Sequence, residues 1–166
     1  MKDTIGIDIG GVIIKPAETP GDTSFFTDDF LATPMFEGAV DVIRQLRDER
    51  FGENMHIVSK CGPNVQRKSL EWLEHHNFYE RSGLRPENVH FCRKRPEKAG
   101  ICDTLGITVF IDDRLDVLCH MTNVGKLIQF CGSEKARNSQ VDSRFDYARC
   151  NSWHEVANSL LPNEGM

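Results

Sequence analysis

Residues Thr4–Gly11, TIGIDIGG, form a short apolar run that ends in a carboxylate and two glycines. A second stretch, Ile107–Asp116, ITVFIDDRLD, repeats the theme with two adjacent carboxylates and a third close behind. Runs this short and this continuous predict strands buried on both faces, as in a parallel sheet covered by helices. Further strands are predicted at Met55–Ser59 (MHIVS), Val89–Cys92 (VHFC) and Leu127–Cys131 (LIQFC). Between and after them lie stretches with helical spacing. Gly38–Glu49 carries Ala39, Val42, Ile43 and Leu46, and Pro63–His75 carries Val65, Leu70 and Leu73 behind a first-turn proline. Glu97–Leu105 is stopped by Gly106, and Trp153–Leu161 is ended by Pro162. The alternation predicts an α/β fold: a three-layer, doubly wound, Rossmann-like domain with a mainly parallel five-stranded sheet. Lys15–Pro34, with its prolines and the pair Phe25-Phe26, reads as irregular, and Ser133–Arg149 as a polar loop.

The 166 residues are read as a single domain, 1–166, large enough for one sizeable core. Hydrophobic residues at 39% and charged residues at 27% fit an ordinary globular chain and exclude a disordered or fibrous one. A net charge of -5 gives no indication of nucleic acid as a partner. Basic residues nevertheless crowd the middle of the chain: Lys60, Arg67, Lys68, Arg93, Lys94, Arg95 and Lys98. That cluster suits an anionic substrate or, equally, a solvated basic face. No apolar run approaches the ~20 residues of a membrane span, and the N-terminus lacks the form of a signal peptide. A cytoplasmic location is therefore expected, with the six cysteines as reduced thiols. None stands in a CxxC pair, which argues against zinc and for small core residues.

In a doubly wound sheet the ligand site lies beyond the carboxyl ends of the strands. Strand one delivers Asp8 there, followed by Gly10 and Gly11, which let a ligand approach the backbone closely. Strand two delivers Ser59 and Lys60; strand four delivers Asp112 and Asp113, with Asp116 behind. Lys98 opens the helix before strand four. Carboxylates on neighbouring strands repel unless a cation lies between them, and hard oxygen ligands of this kind suit magnesium. Serine, lysine and free amides are what a phosphoryl group needs for orientation and charge neutralisation.

Four segments, IGIDIGGV, HIVSKCG, RPEKAGIC and VFIDDRLDV, stand in the order of the four motifs of the haloacid dehalogenase-like (HAD) superfamily, which the chain resembles over residues 4 to 131. The resemblance implies that Asp8 is the nucleophile, forming an aspartyl-phosphate. It implies a Mg2+ cofactor held by Asp8, the Gly10 carbonyl and Asp112 or Asp113. Ser59 would bind the phosphoryl oxygens, with Gly10, Gly11 and Lys60 lining the phosphate site. Lys98 would hold nucleophile and phosphate together, and Lys94 is the weaker candidate for that role.

Two departures qualify the match. Phosphatases of this superfamily carry a second aspartate two residues after the nucleophile, as general acid and base, and here that position is Gly10. Loss of a positioned proton donor costs about 10²–10⁴ in rate; Asp28 or Asp29 is a remote substitute. The second departure is the absence of room for a lid, either after motif one or between motifs two and three. An open site implies a phosphorylated substrate large enough to be macromolecular, or shielding by a partner subunit.

Taken singly, these residues have plainer readings. Asp8 could cap a turn, and Ser59 and Lys98 could be structural. Asp116 could cap the next helix. Trp72 and Trp153 read as packing residues, and His75-His76 as a helix end. Together the motifs point to a Mg2+-dependent phosphohydrolase or phosphotransferase acting through Asp8, slowed by Gly10. The alternative is a catalytically impaired relative that binds a phosphorylated ligand or a protein partner. IGIDIGGV also resembles the first phosphate segment of sugar kinases and actin-like ATPases, but nothing here supplies their second lobe.

Overall fold

A computed structural model describes residues 3–15, 29–142 and 144–162 of the chain. Phe25-Phe26 and Asp28 lie outside the described residues. Six parallel strands form one sheet: β1 (Ile5–Ile7), β2 (Met55–Lys60), β3 (Val89–Cys92), β4 (Val109–Asp112), β5 (Lys126–Phe130) and β6 (Ala148–Cys150). Their order is β3-β2-β1-β4-β5-β6. The chain therefore winds outward from β1 in one direction and then, from β4, in the other. The reversal opens a crevice between β1 and β4, where sheets of this kind hold their ligands.

Among the described residues seven α-helices accompany the sheet: α1 (Ala39–Leu46), α2 (Pro63–His75), α3 (Phe78–Ser82), α4 (Arg95–Leu105), α5 (Leu115–Leu118), α6 (Glu134–Arg137) and α7 (Trp153–Leu160). Strand alternation divides the core into two layers. Ile5, Ile7, Ile57, Val109, Ile111, Ile128 and Phe130 face one side, packing against residues of α1, α2 and α7 such as Ile43, Trp72 and Trp153. Val58, Phe110 and Leu127 face the other, against Cys102 of α4 and Leu115 and Leu118 of α5. Gly6 sits beside Phe110 in register, and a Cβ there would lie 2.6 Å from Phe110 Cδ2. The glycine inside the first apolar run is thus the space that the Phe110 ring occupies.

Both tryptophans are packing residues, fully buried, with satisfied N–H groups. Trp72 Nε1 donates to the Thr33 carbonyl (2.9 Å) and Trp153 Nε1 to the Val12 carbonyl (2.8 Å). The second bond ties α7 to the turn after β1, which shapes the site. All six cysteines are free, and Cys92, Cys102, Cys131 and Cys150 are buried.

The five-strand expectation is corrected to six. Ser133–Arg149, read as a polar loop, contains α6 and β6. β6 pairs in parallel with β5 through Ile128↔Ala148 and Phe130↔Cys150. It is an edge strand of three residues with an exposed arginine in the middle, so no apolar run marks it. The helix expected from Glu97 begins at Arg95, with Pro96 in its first turn. No described helix is long and apolar enough to cross a membrane.

Candidate metal and phosphate site

Register places the site. Ile7 pairs with Ile57 on one side and Ile111 on the other. The residues that follow, Asp8 just after β1 and Asp112 at the end of β4, therefore stand side by side at the carboxyl edge, and the Asp8 N–H donates to the Ile111 carbonyl (3.0 Å). Asp8 and Asp112 extend the row begun by Gly6 and Phe110, so both face the side covered by α4. From that helix the buried Lys98 reaches across: its Nζ donates to Asp8 Oδ1 (3.0 Å) and to Asp112 Oδ2 (2.8 Å). The remaining Asp112 oxygen, Oδ1, accepts the Arg114 N–H (3.0 Å).

Asp113 joins this group. One oxygen from each of Asp8, Asp112 and Asp113 lies within 4.8 Å of the other two. Asp113 rests against the turn after β1, where Gly11 has φ +81°, and a Cβ on Gly11 would overlap the Asp113 carboxylate. Two requirements coincide at Gly11: a left-handed backbone and no side chain. Beneath, the buried Gln129 side-chain amide donates to the carbonyls of Asp113 (3.4 Å) and Ala136 (2.9 Å), holding the β4 loop against α6.

Three carboxylates face one ammonium in a buried site, and the electrostatics record the excess. Burial, and then the charge of Asp112, push the Asp8 carboxyl well above the ordinary carboxylate range. The same two causes raise Asp113. For Lys98, burial opposes the charge, but Asp112 and Asp8 outweigh it and hold the ammonium firmly protonated. A buried cluster with surplus negative charge, hard oxygen donors and a neighbouring glycine turn has the chemistry of a divalent-cation site.

The other expected residues fall around this centre. Ser59 is buried, one register step further along β2 than Asp8, and its hydroxyl has no hydrogen-bond partner among the described residues. It does not enter the Lys98 network. Lys60 is exposed at the end of β2, and Lys94 is exposed at the start of α4 rather than bonded to the carboxylates. Gly10 is exposed, and a Cβ there would meet nothing within 4 Å. Asp29 is exposed at the start of the 3-10 turn Phe30–Ala32.

Asp116 is not the cap of the following helix: Arg114 occupies that position and Asp116 lies within the first turn. Its carboxylate takes a paired contact from Arg114 (2.9 and 2.8 Å) and another from Arg95 (3.4 Å). The Arg114 hydrogen bonds hold its carboxyl below the usual range. Arg114 and Gln129 were not foreseen. Gln129 had a signal, as the one polar residue inside an apolar strand; the Arg114 amide had none.

No protein-family model matches the chain, and no curated protein matches it in sequence. Solved structures do match in fold. A HAD family hydrolase from Deinococcus radiodurans R1, solved with bound phosphate and sodium, is 14% identical. It superposes with a TM-score of 0.62, over 96% of this chain and 95% of its own. A HAD hydrolase, family IA, variant 3, from Entamoeba histolytica HM-1:IMSS is 9% identical, with a TM-score of 0.61 over 95% of this chain and 96% of its own. The chain is similar to both in fold from end to end.

Proposed function

We propose that this chain, which has the fold of HAD hydrolases, is a Mg2+-dependent phosphohydrolase or phosphotransferase of that superfamily, acting through Asp8. The observation that carries this reading is the meeting of the buried Asp8 and Asp112, bridged by Lys98, with the half-buried Asp113 beside them. The donors fit magnesium, which takes oxygen ligands and retains waters and substrate phosphate. Asp8, Asp113 and the Gly10 carbonyl would hold the ion. Asp112 has both oxygens engaged, by Lys98 and by the Arg114 amide, and its part is to orient the lysine. When bound, the ion would neutralise the phosphoryl oxygens and the surplus carboxylate charge. The phosphate and sodium in the Deinococcus structure are consistent with this assignment.

In the proposed reaction an Asp8 carboxylate oxygen attacks phosphorus, a P–O bond forms, and the bond to the leaving oxygen breaks. Water then attacks the aspartyl-phosphate at phosphorus, releasing phosphate and restoring Asp8. Lys98 holds the nucleophile in place and offsets the charge gathering on the phosphoryl oxygens. Ser59 and the backbone of Gly10 and Gly11 would complete the phosphate cradle. The leaving oxygen has to take its proton from water, because Gly10 supplies none.

The open space at Gly10 favours a second reading, a relative that binds phosphate but turns over slowly or not at all. Between β2 and β3 the chain holds only α2, α3 and the short turn Pro86–Asn88, too little for a lid. An open site of this kind suits a large phosphorylated substrate. The free cysteines fit a reducing, cytoplasmic setting.

The test is magnesium-dependent phosphate release from phosphoesters, phosphopeptides and acyl phosphates, for the native protein and Asp8→Asn. Turnover that needs magnesium and disappears in Asp8→Asn supports the reading. Absence of turnover on every substrate, with phosphate still bound, supports the second.

A further inference from the structure

The basic residues between positions 60 and 98 separate by role once placed in the fold. Lys98 belongs to the carboxylate centre, and Lys68 is buried under the Phe30 ring at 5.2 Å. Arg67 pairs with Glu71 (2.9 Å), Arg85 with Glu53 and Arg95 with Asp116 (3.4 Å), and the Arg81 guanidinium donates to the His76 carbonyl (3.3 Å). Lys60, Arg93 and Lys94 remain, all exposed. They are neighbours, because Lys60 pairs in register with Cys92 at the carboxyl edges of β2 and β3. The Arg93 guanidinium donates to the Cys61 carbonyl (2.9 Å), locking the two strand-end loops together. Among the described residues neither the Lys60 nor the Lys94 ammonium has an ion pair or hydrogen bond.

This cationic rim adjoins the Asp8 centre. Cys61 stands between them: burial raises its thiol, while Arg93, Asp8 and Lys60 all act on it electrostatically. Glu97, in the first turn of α4, is the acidic residue nearest along the chain, and it leaves the rim net positive. A positive rim beside the site, on a chain of net charge -5, marks where an anion is received. β2 lies one strand from β1 and β3 lies two, so the rim extends about 10 Å from Asp8.

We propose that the substrate carries a second anionic group, held by Lys60 and Lys94 about 10 Å from the phosphorus at Asp8. This rests on the phosphotransfer reading and specifies its ligand as an anion at both ends. Arg93 acts as a positioning residue, fixing the loops that present the two lysines. The second anion is a phosphate or carboxylate and could be borne by a phosphorylated peptide or by a nucleotide.

The experiment compares linear alkanediol bisphosphates of graded length with the monophosphates of the same length, at low ionic strength. For the native protein the expected result is a KM about five- to tenfold lower for a bisphosphate spanning about 10 Å, with similar kcat. The advantage falls as salt is added. In Lys94→Gln and in Lys60→Gln the ratio of the two KM values moves toward one, and Lys94→Arg restores it. The same ligands are titrated calorimetrically into Asp8→Asn, which needs no turnover. A preference there without turnover in the native protein leaves the inference standing and removes the phosphotransfer reading. Turnover without preference does the reverse. Equal affinities, binding of neither ligand, or a preference that survives both lysine substitutions overturns the inference. An acidic phosphopeptide and a nucleoside bisphosphate of matched spacing then identify the source of the second anion.

Discussion

The Lys98 ammonium lies 3.0 Å from the Asp8 carboxylate, across ninety residues of sequence. The fold closes that distance because α4 covers the sheet face on which both Asp8 and Asp112 end. The lysine offsets one negative charge where the cluster supplies three. When all three are ionised, the negative charge left over is what a divalent cation would offset.

Removing the lysine tests that balance. Lys98→Met leaves two buried carboxylates without their bridging ammonium, and breaking a buried pair in this way costs about 3–5 kcal/mol. Urea denaturation in chelator should show that loss, and added magnesium should recover part of it. A loss under about 1 kcal/mol would place Lys98 in a solvated setting, contrary to its burial.

Gly10 is the position where a proton donor is missing, and the space for one is present. Its backbone is not in the left-handed region, so a side chain there is not strained. Gly10→Asp should raise the rate of ester hydrolysis, up to about 10²-fold. Steady-state kcat on a good substrate measures it. No gain, with folding intact, would separate this chain's chemistry from acid-assisted hydrolysis.

Gly11 is expected to respond in the opposite way. Gly11→Ala forces a left-handed backbone on alanine and drives its Cβ into the Asp113 carboxylate. The turn or Asp113 must shift, so magnesium affinity should fall by at least about tenfold, while stability falls by about 1–3 kcal/mol. Calorimetric titration of magnesium reads the first quantity and chemical denaturation the second.

The pH dependence has an unusual sign. Burial, and then Asp112, raise Asp8 from 3.8 to about 7, and Asp113 is raised by the same causes. In metal-free protein the folded state keeps protons that the unfolded chain releases, Asp8 up to about pH 7 and Asp113 up to about pH 9, so the stability from these groups falls as pH rises from about 4 through that window. An ordinary paired carboxylate does the reverse. Magnesium must displace those protons, so its increase in Tm should be larger near about pH 8 than near about pH 5. Equal increases would contradict the buried, protonated cluster.

Much of this site was legible because strand-end residues converge whenever the strands are parallel and adjacent. Asp8, Lys98, Asp112 and Asp113 needed only the correct strand order to meet. The hydrogen bonding that sets Asp112 apart from Asp113 was not legible, since it depends on the Arg114 amide, a backbone group without a sequence mark. β6 escaped because Ala148-Arg149-Cys150 is too short for a periodic signal, and its pairing comes wholly from β5. α3, α5 and α6 span four or five residues and are held by tertiary packing rather than by a repeating apolar face.

If Asp8 is the nucleophile, the phosphoryl group is transferred to its carboxylate during turnover. Borohydride reduction during turnover, followed by peptide mass spectrometry, traps an aspartyl-phosphate as homoserine at the residue that carried it. The expected result is magnesium-dependent reduction at position 8, lost in Asp8→Asn along with phosphate release. Steady turnover with no reduction at position 8, or with turnover persisting in Asp8→Asn, would contradict it.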